Sequence, residues 1–96
     1  MSIKELLHNK REEIIKLASY HGAYNVRVFG SVARDEADSN SDIDFLVDLG
    51  DDLSPWFPVH LIRDLEQLLG KKVDIVTENG LKERIKQRVL QEAIPL

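Results

Sequence analysis

The sequence contains no cysteine. Disulfides, thiolate–zinc sites and thiol catalysis are therefore excluded, and a reducing, cytoplasmic setting is expected. No apolar run approaches the roughly 20 residues needed to span a bilayer. The opening "MSIKELLHNKREEIIKLA" interrupts its apolar residues with charge every few positions, unlike a signal peptide. Internal repeats and low-complexity tracts are absent. Histidine is scarce: His8, His21 and His60 are scattered without metal-ligand spacing and are expected on the surface. Positive charge is not in excess either. A net charge of -4 argues against broad phosphate-backbone binding, and so against a direct nucleic-acid binder.

What is present describes one soluble globular domain over residues 1–96, since 43% apolar and 31% charged residues are ordinary proportions. Ser2 followed by Glu5 is a capping-box pattern. It opens a helix whose apolar stripe takes in Ile3, Leu6, Leu7, Ile14 and Ala18 and runs to about Tyr20. Val26–Phe29 reads as a short strand, turned by Gly30-Ser31 into a brief helical segment around Val32–Glu36. "ADSNS" is a polar loop, and Asp42–Leu49 a second strand. After the loop "GDDLSP", a helix is expected over Val59–Leu69, closed by Gly70. Lys72–Thr77 is a third strand, and Asn79-Gly80 introduces a last helix with Leu81, Ile85, Val89 and Ala93 on one side. The fold class is α/β (α+β), in the order α-β-(α)-β-α-β-α.

The second strand begins with Asp-Ile-Asp, although aspartate is a poor strand former. Strand side chains alternate, so Asp42 and Asp44 share a face, about 7 Å apart, while Ile43, Phe45 and Val47 face the other way. In the third strand Asp74 lies between Val73 and Ile75 and opposes them. If the strands are neighbours, the three carboxylates form one acidic patch and raise one another's pKa values. Divalent cations would remove that conflict. Oxygen ligands with few histidines suit magnesium, with substrate phosphates completing its shell. Two such ions about 3.5–4 Å apart activate an attacking oxygen and stabilise a leaving pyrophosphate. For any one aspartate, a solvated strand end is the simpler explanation; for three on one face it is not.

Gly30 permits close ligand approach, and Ser31 is placed to cap the short following helix. That helix start suits phosphate. Arg34, where a capping box would have Glu, opposes the helix dipole unless an anion binds alongside. The spacing adds weight: Gly30-Ser31, ten residues, then Asp42-x-Asp44. With average residue usage, four such fixed positions arise on the order of 10⁻³ times in a chain of this length; the nine aspartates here raise that severalfold, and it stays small.

These residues resemble the DNA-polymerase-β-like nucleotidyltransferase superfamily, whose signature is Gly-Ser, a spacer, Asp-x-Asp and a third carboxylate on a later strand. "FGSVARDEADSNSDIDFLVDL" with "DLEQLLGKKVDIVT" is similar to the minimal nucleotidyltransferases, the MNT or MntA-like antitoxins of HEPN/MNT toxin–antitoxin systems, across about residues 24 to 80. The resemblance implies a small mixed sheet with helices on one face and the acidic site on the other. It implies that Gly30 and Ser31 hold the triphosphate with help from Arg34. Asp42 and Asp44 would bind both Mg²⁺ ions, and Asp74 would complete the second site and act as base. The position after Arg34 is often glycine in such proteins and here is Asp35. The implied reaction moves AMP from ATP to a tyrosine of a partner HEPN RNase toxin, silencing it. The alternatives are an antitoxin that neutralises by binding alone, and a transferase acting on tRNA ends or small molecules.

Other features have simpler expectations. Trp56 and Phe57 suit packing under a loop, ahead of contact with a partner or an adenine ring. Leu90, Ile94 and Leu96 fit either a partner surface or a docked tail. The basic residues Lys71, Lys72, Lys82, Arg84, Lys86 and Arg88 are expected to be solvated. Asp48, Asp51 and Asp52 read as loop formers.

Overall fold

The computed structural model describes residues 2–53 and 55–96; Ser54, in the expected "GDDLSP" loop, lies outside them. Ser2 caps α1 (Ile3–Asn9), accepting the Glu5 N–H at 3.1 Å. The single helix expected to Tyr20 is two, because Lys10 (φ -103°, ψ 10°) separates α1 from α2 (Arg11–Tyr20). Lys10 and Ile14 still donate to the Leu6 and Lys10 carbonyls, so the break only redirects one apolar stripe. Leu7, Ile14 and Ala18 are all buried along it.

Strand β1 (Ala23–Phe29) starts three residues before the expected Val26, and its pairing with β2 (Ile43–Leu49) is antiparallel. Between Tyr24 and Arg27 β1 carries one extra residue against β2, a bulge at which Asn25 takes φ +50°. Between the strands, α3 is one turn, Gly30–Ala33, earlier and shorter than expected. Helix α4 (Val59–Leu69) ends on left-handed Gly70 as its sequence predicts. It leads to β3 (Val73–Val76), which runs parallel to β2. A 3₁₀ turn at Glu78–Gly80 then precedes α5 (Glu83–Glu92).

The C-terminal residues dock rather than project. Ile94–Pro95 form β4, antiparallel to β1, and Leu96 donates its N–H to the Val26 carbonyl while packing on the core. The sheet order is β3-β2-β1-β4.

Alternation in β2 separates core from site. Ile43, Phe45 and Val47 are 0%, 0% and 2% exposed beneath the helices, which leaves Asp44, Leu46 and Asp48 on the opposite face. That face is not bare: Leu46 is fully buried there, and it and Val89 of α5 are buried outside the main apolar cluster. Asp48 is a strand residue, not a loop former; it accepts from Arg27 Nη2 at 2.8 Å and Asn25 Nδ2 at 2.9 Å.

Two further expectations change. His21 is buried, its Nε2 2.8 Å from Asp64 Oδ2, which joins the end of α2 to α4. Of the aromatic pair, Phe57 packs against the core, whereas Trp56 is 65% exposed and stacks on His60.

Asp35 closes α3 at φ +59°, a left-handed conformation that glycine adopts without the strain a side chain brings. The ion pair it makes with Lys4 at 3.0 Å is exposed and weak. Asp35→Gly is therefore expected to stabilise the fold by about 0.5 kcal/mol, the relief of strain being partly offset by glycine's entropy. A urea melt of the variant against the parent measures it.

Candidate functional site

Parallel pairing of β2 with β3 sets Asp44 directly beside Asp74, since the two are register partners. In-register neighbours in a sheet point to the same side. Asp42, two residues before Asp44, lies just ahead of β2, where the Ile43 N–H donates to the Lys72 carbonyl and starts the β2–β3 ladder. The three aspartates expected on one face are thus brought together at the end of two adjacent strands.

Asp44 is the half-buried member of the three, and its surroundings push its pKa up. Burial is the largest cause, followed by the charges of Asp74 and Asp42, against which the nearby Arg34 guanidinium works in the other direction. The close approach of Gly30 explains the burial. Gly30 takes φ +73°, and a Cβ built on it would overlap Asp44 Oδ2. Only glycine lets the β1–α3 turn lie against this carboxylate.

Ser31 does not cap α3. The extended residue Phe29 holds the cap position without a side-chain bond, and the Ser31 carbonyl accepts the Glu36 N–H at 2.8 Å. Arg34 is less free than its sequence context suggests. Its Nε donates to Glu36 Oε1 and its Nη1 to Glu92 Oε1, each at 2.6 Å. Glu92 also accepts the Gly30 N–H on its other oxygen at 2.8 Å. The anion that a cation in α3 calls for is therefore supplied in part by the chain itself.

Glu92 is the residue that sequence reasoning missed. It lies 62 positions from Gly30 at the end of α5, and no local pattern links the two. Its side chain is only 14% exposed. Burial alone would raise its pKa, but the Arg34 guanidinium and the Gly30 N–H hold it below the usual glutamate value.

Among the described residues, no three acidic or imidazole groups close a metal cage by themselves. Magnesium does not require one, since it is commonly bound by one or two carboxylates with substrate phosphates and water. A set of clustered aspartates, one of them destabilised in its charged form, fits that partial role. An apolar cavity of about 220 Å³ lies elsewhere, lined by residues such as Leu7, Val28, Val32 and Leu96. Val28 faces the core side of the sheet, so this cavity is remote from the aspartates.

Known proteins are similar to this chain in sequence and fold. The nucleotidyltransferase domain family matches residues 8–96. Protein adenylyltransferase MntA of Thermococcus cleftensis is 39% identical over 79 residues, covering 82% of this chain and 80% of that protein. A Methanocaldococcus jannaschii protein named as a candidate protein adenylyltransferase is also 39% identical, over 98% of this chain and 97% of its own length. A solved structure described as a candidate minimal nucleotidyltransferase superposes with a TM-score of 0.85 at 47% identity, covering 100% of this chain and 97% of the other. A toxin–antitoxin crystal structure with AMP-PNP gives a TM-score of 0.72 at 27% identity, covering 88% of this chain and 69% of the matched chain. With its fold matched from end to end and its sequence matched across residues 8–96, the chain belongs to the nucleotidyltransferase domain family, among the minimal nucleotidyltransferases.

Proposed function

We propose that this protein is the antitoxin enzyme of a toxin–antitoxin pair, moving AMP from ATP to a tyrosine hydroxyl of a HEPN RNase toxin and thereby silencing it. The observation that carries the reading is the Asp44–Asp74 register with Asp42 beside it, set against the Gly30 turn. Support for the acceptor class comes from relatives: one is named a protein adenylyltransferase, and another is a toxin–antitoxin structure with a bound ATP analogue.

In this reading Asp42 and Asp44 hold Mg²⁺, and Asp74 completes the set. The bound ions would neutralise the triphosphate and the leaving pyrophosphate. Asp74, the most exposed of the β-strand carboxylates, takes the proton from the acceptor hydroxyl. The acceptor oxygen then forms a bond to the α-phosphorus, and the bond from that phosphorus to the β-phosphate bridging oxygen breaks. Gly30 and Ser31 line the triphosphate, and Arg34 offers its remaining guanidinium donors to it.

Incubation with Mg²⁺, labelled ATP and the protein encoded beside it tests this directly. The expected result is a mass gain of one or more AMP units on the partner, absent with Asp42→Ala/Asp44→Ala. Full neutralisation by that double variant, with no label from the parent, would instead favour an antitoxin that acts by binding alone. Label appearing only on tRNA ends or a small molecule would move the acceptor class.

A further inference from the structure

Arg34 poses a problem for a phosphate-binding role. An arginine meant for substrate is already paired with two carboxylates, Glu36 and Glu92, and the nearly buried one also holds the turn that abuts Asp44. The two oxygens of Glu92 are used separately, Oε2 accepting the Gly30 N–H and Oε1 the Arg34 Nη1.

Two roles are open to such a carboxylate. It could plug the phosphate seat and leave when nucleotide enters, or it could stay and hold the seat in shape. The surroundings favour staying. Glu92 ends α5, whose Val89 is buried, and two residues later the chain is pinned to β1 by the Val28–Ile94 pairing. At 14% exposure the carboxylate is also mostly closed off from the solvent through which a nucleotide would arrive. Moreover, the bonds from Glu36 and Glu92 use only Nε and Nη1. Among the described residues no acceptor engages Nη2, and the guanidinium still lies close enough to Asp44 to lower its pKa.

We infer that Glu92 is a positioning residue for the nucleotide site: it clamps the Gly30 turn and the Arg34 guanidinium in the geometry that receives the triphosphate. The inference rests on the nucleotidyl-transfer reading above. Its physical basis is preorganisation. A free arginine loses considerable rotamer entropy when a ligand immobilises it, whereas one held by two carboxylates has lost it during folding. Glu36 holds the guanidinium through Nε and Glu92 through Nη1, which leaves Nη2 for a ligand.

The test measures binding of a non-hydrolysable ATP analogue with Mg²⁺ to the whole protein by calorimetry, well below the melting temperature of each variant. Glu92→Ala is expected to weaken binding about tenfold, the scale of a lost charge-assisted hydrogen bond. Glu92→Gln keeps an acceptor for Gly30 and should recover part of that loss. The decisive measurement is coupling: in an Arg34→Ala background, Glu92→Ala should cost clearly less than in the parent, the remaining loss being the share carried by the Gly30 N–H. A role confined to general stability would lower the melting temperature equally in both backgrounds and show no such coupling in affinity. Unchanged or tighter binding by Glu92→Ala, the signature of a plug, overturns the inference; so do losses that simply add. Failure of the parent protein itself to bind the analogue would bring down the nucleotidyl-transfer reading and this inference with it.

Discussion

Asp44→Asn should abolish AMP transfer while leaving a protein that is at least as stable as the parent. In the proposed function, loss of a carboxylate that would hold the metal removes several kcal/mol of charge stabilisation, which corresponds to a rate loss of about a thousandfold or more. The stability half follows from the same environment. In the folded protein the Asp44 pKa is raised, by burial first and then by Asp74 and Asp42. The native state therefore holds this proton more tightly than the unfolded chain does. Its contribution to stability is fully present below the ordinary value of 3.8 and is lost as pH rises through the elevated one. Asparagine never ionises, so without metal the variant should melt higher than the parent at neutral pH. The difference should close as pH falls below the ordinary aspartate range. Thermal melts with EDTA at several pH values, alongside a transfer assay at pH 7, check both halves. A large stability loss at neutral pH would mean that the Asp44 carboxylate serves as a structural acceptor.

Gly30→Ala should damage both fold and activity, and Gly70→Ala supplies the control. The two glycines have nearly the same backbone angle, φ +73° and +67°. A left-handed alanine costs about 1–2 kcal/mol in either place. At Gly70 nothing lies within 4 Å of the added carbon, so strain is the whole effect. At Gly30 the carbon overlaps Asp44 Oδ2, and either the carboxylate or the turn must move. We expect Gly30→Ala to lose about 1 kcal/mol or more beyond the Gly70 variant, given the usual cost of overpacking. Transfer activity should fall nearly as far as in Asp44→Asn, while Gly70→Ala keeps it. Urea denaturation and the labelled-ATP assay on the two variants make the comparison. Equal activity in both would show that the Gly30–Asp44 contact does not matter to the chemistry.

The parts of the site that could be read from sequence are those governed by local rules. Alternation along a strand separates Asp44 from Phe45, and a helical stripe with a terminal glycine marks α4 and Gly70. Even Asp74 needed only the assumption that two strands adjoin, which the parallel register bears out. The parts that could not be read depend on contacts far apart in the chain. His21 looks polar and isolated until α4 brings Asp64 to it. Ile94 and Pro95 have no strand pattern of their own and pair only because β1 offers an open edge. Glu92 is one of many charged residues on α5, and its role is visible only once the end of that helix meets the β1–α3 turn. Arg34 illustrates the cost of missing it. The helix-dipole argument from its position loses force once two of the chain's own carboxylates are found there, and a role toward triphosphate then rests on the donors they leave over.

The long reach between Gly30 and Glu92 has a consequence for folding. Closing a loop of 62 residues costs entropy that falls once the strands between Gly30 and Glu92 have assembled, so the clamp is expected to close late in folding. Partly folded species with β1, α3 and β2 paired but α5 undocked would possess the aspartates of β2 and lack the clamp. Nucleotide would then select the fully assembled chain over its partial forms, so ligand and cooperative folding would reinforce each other.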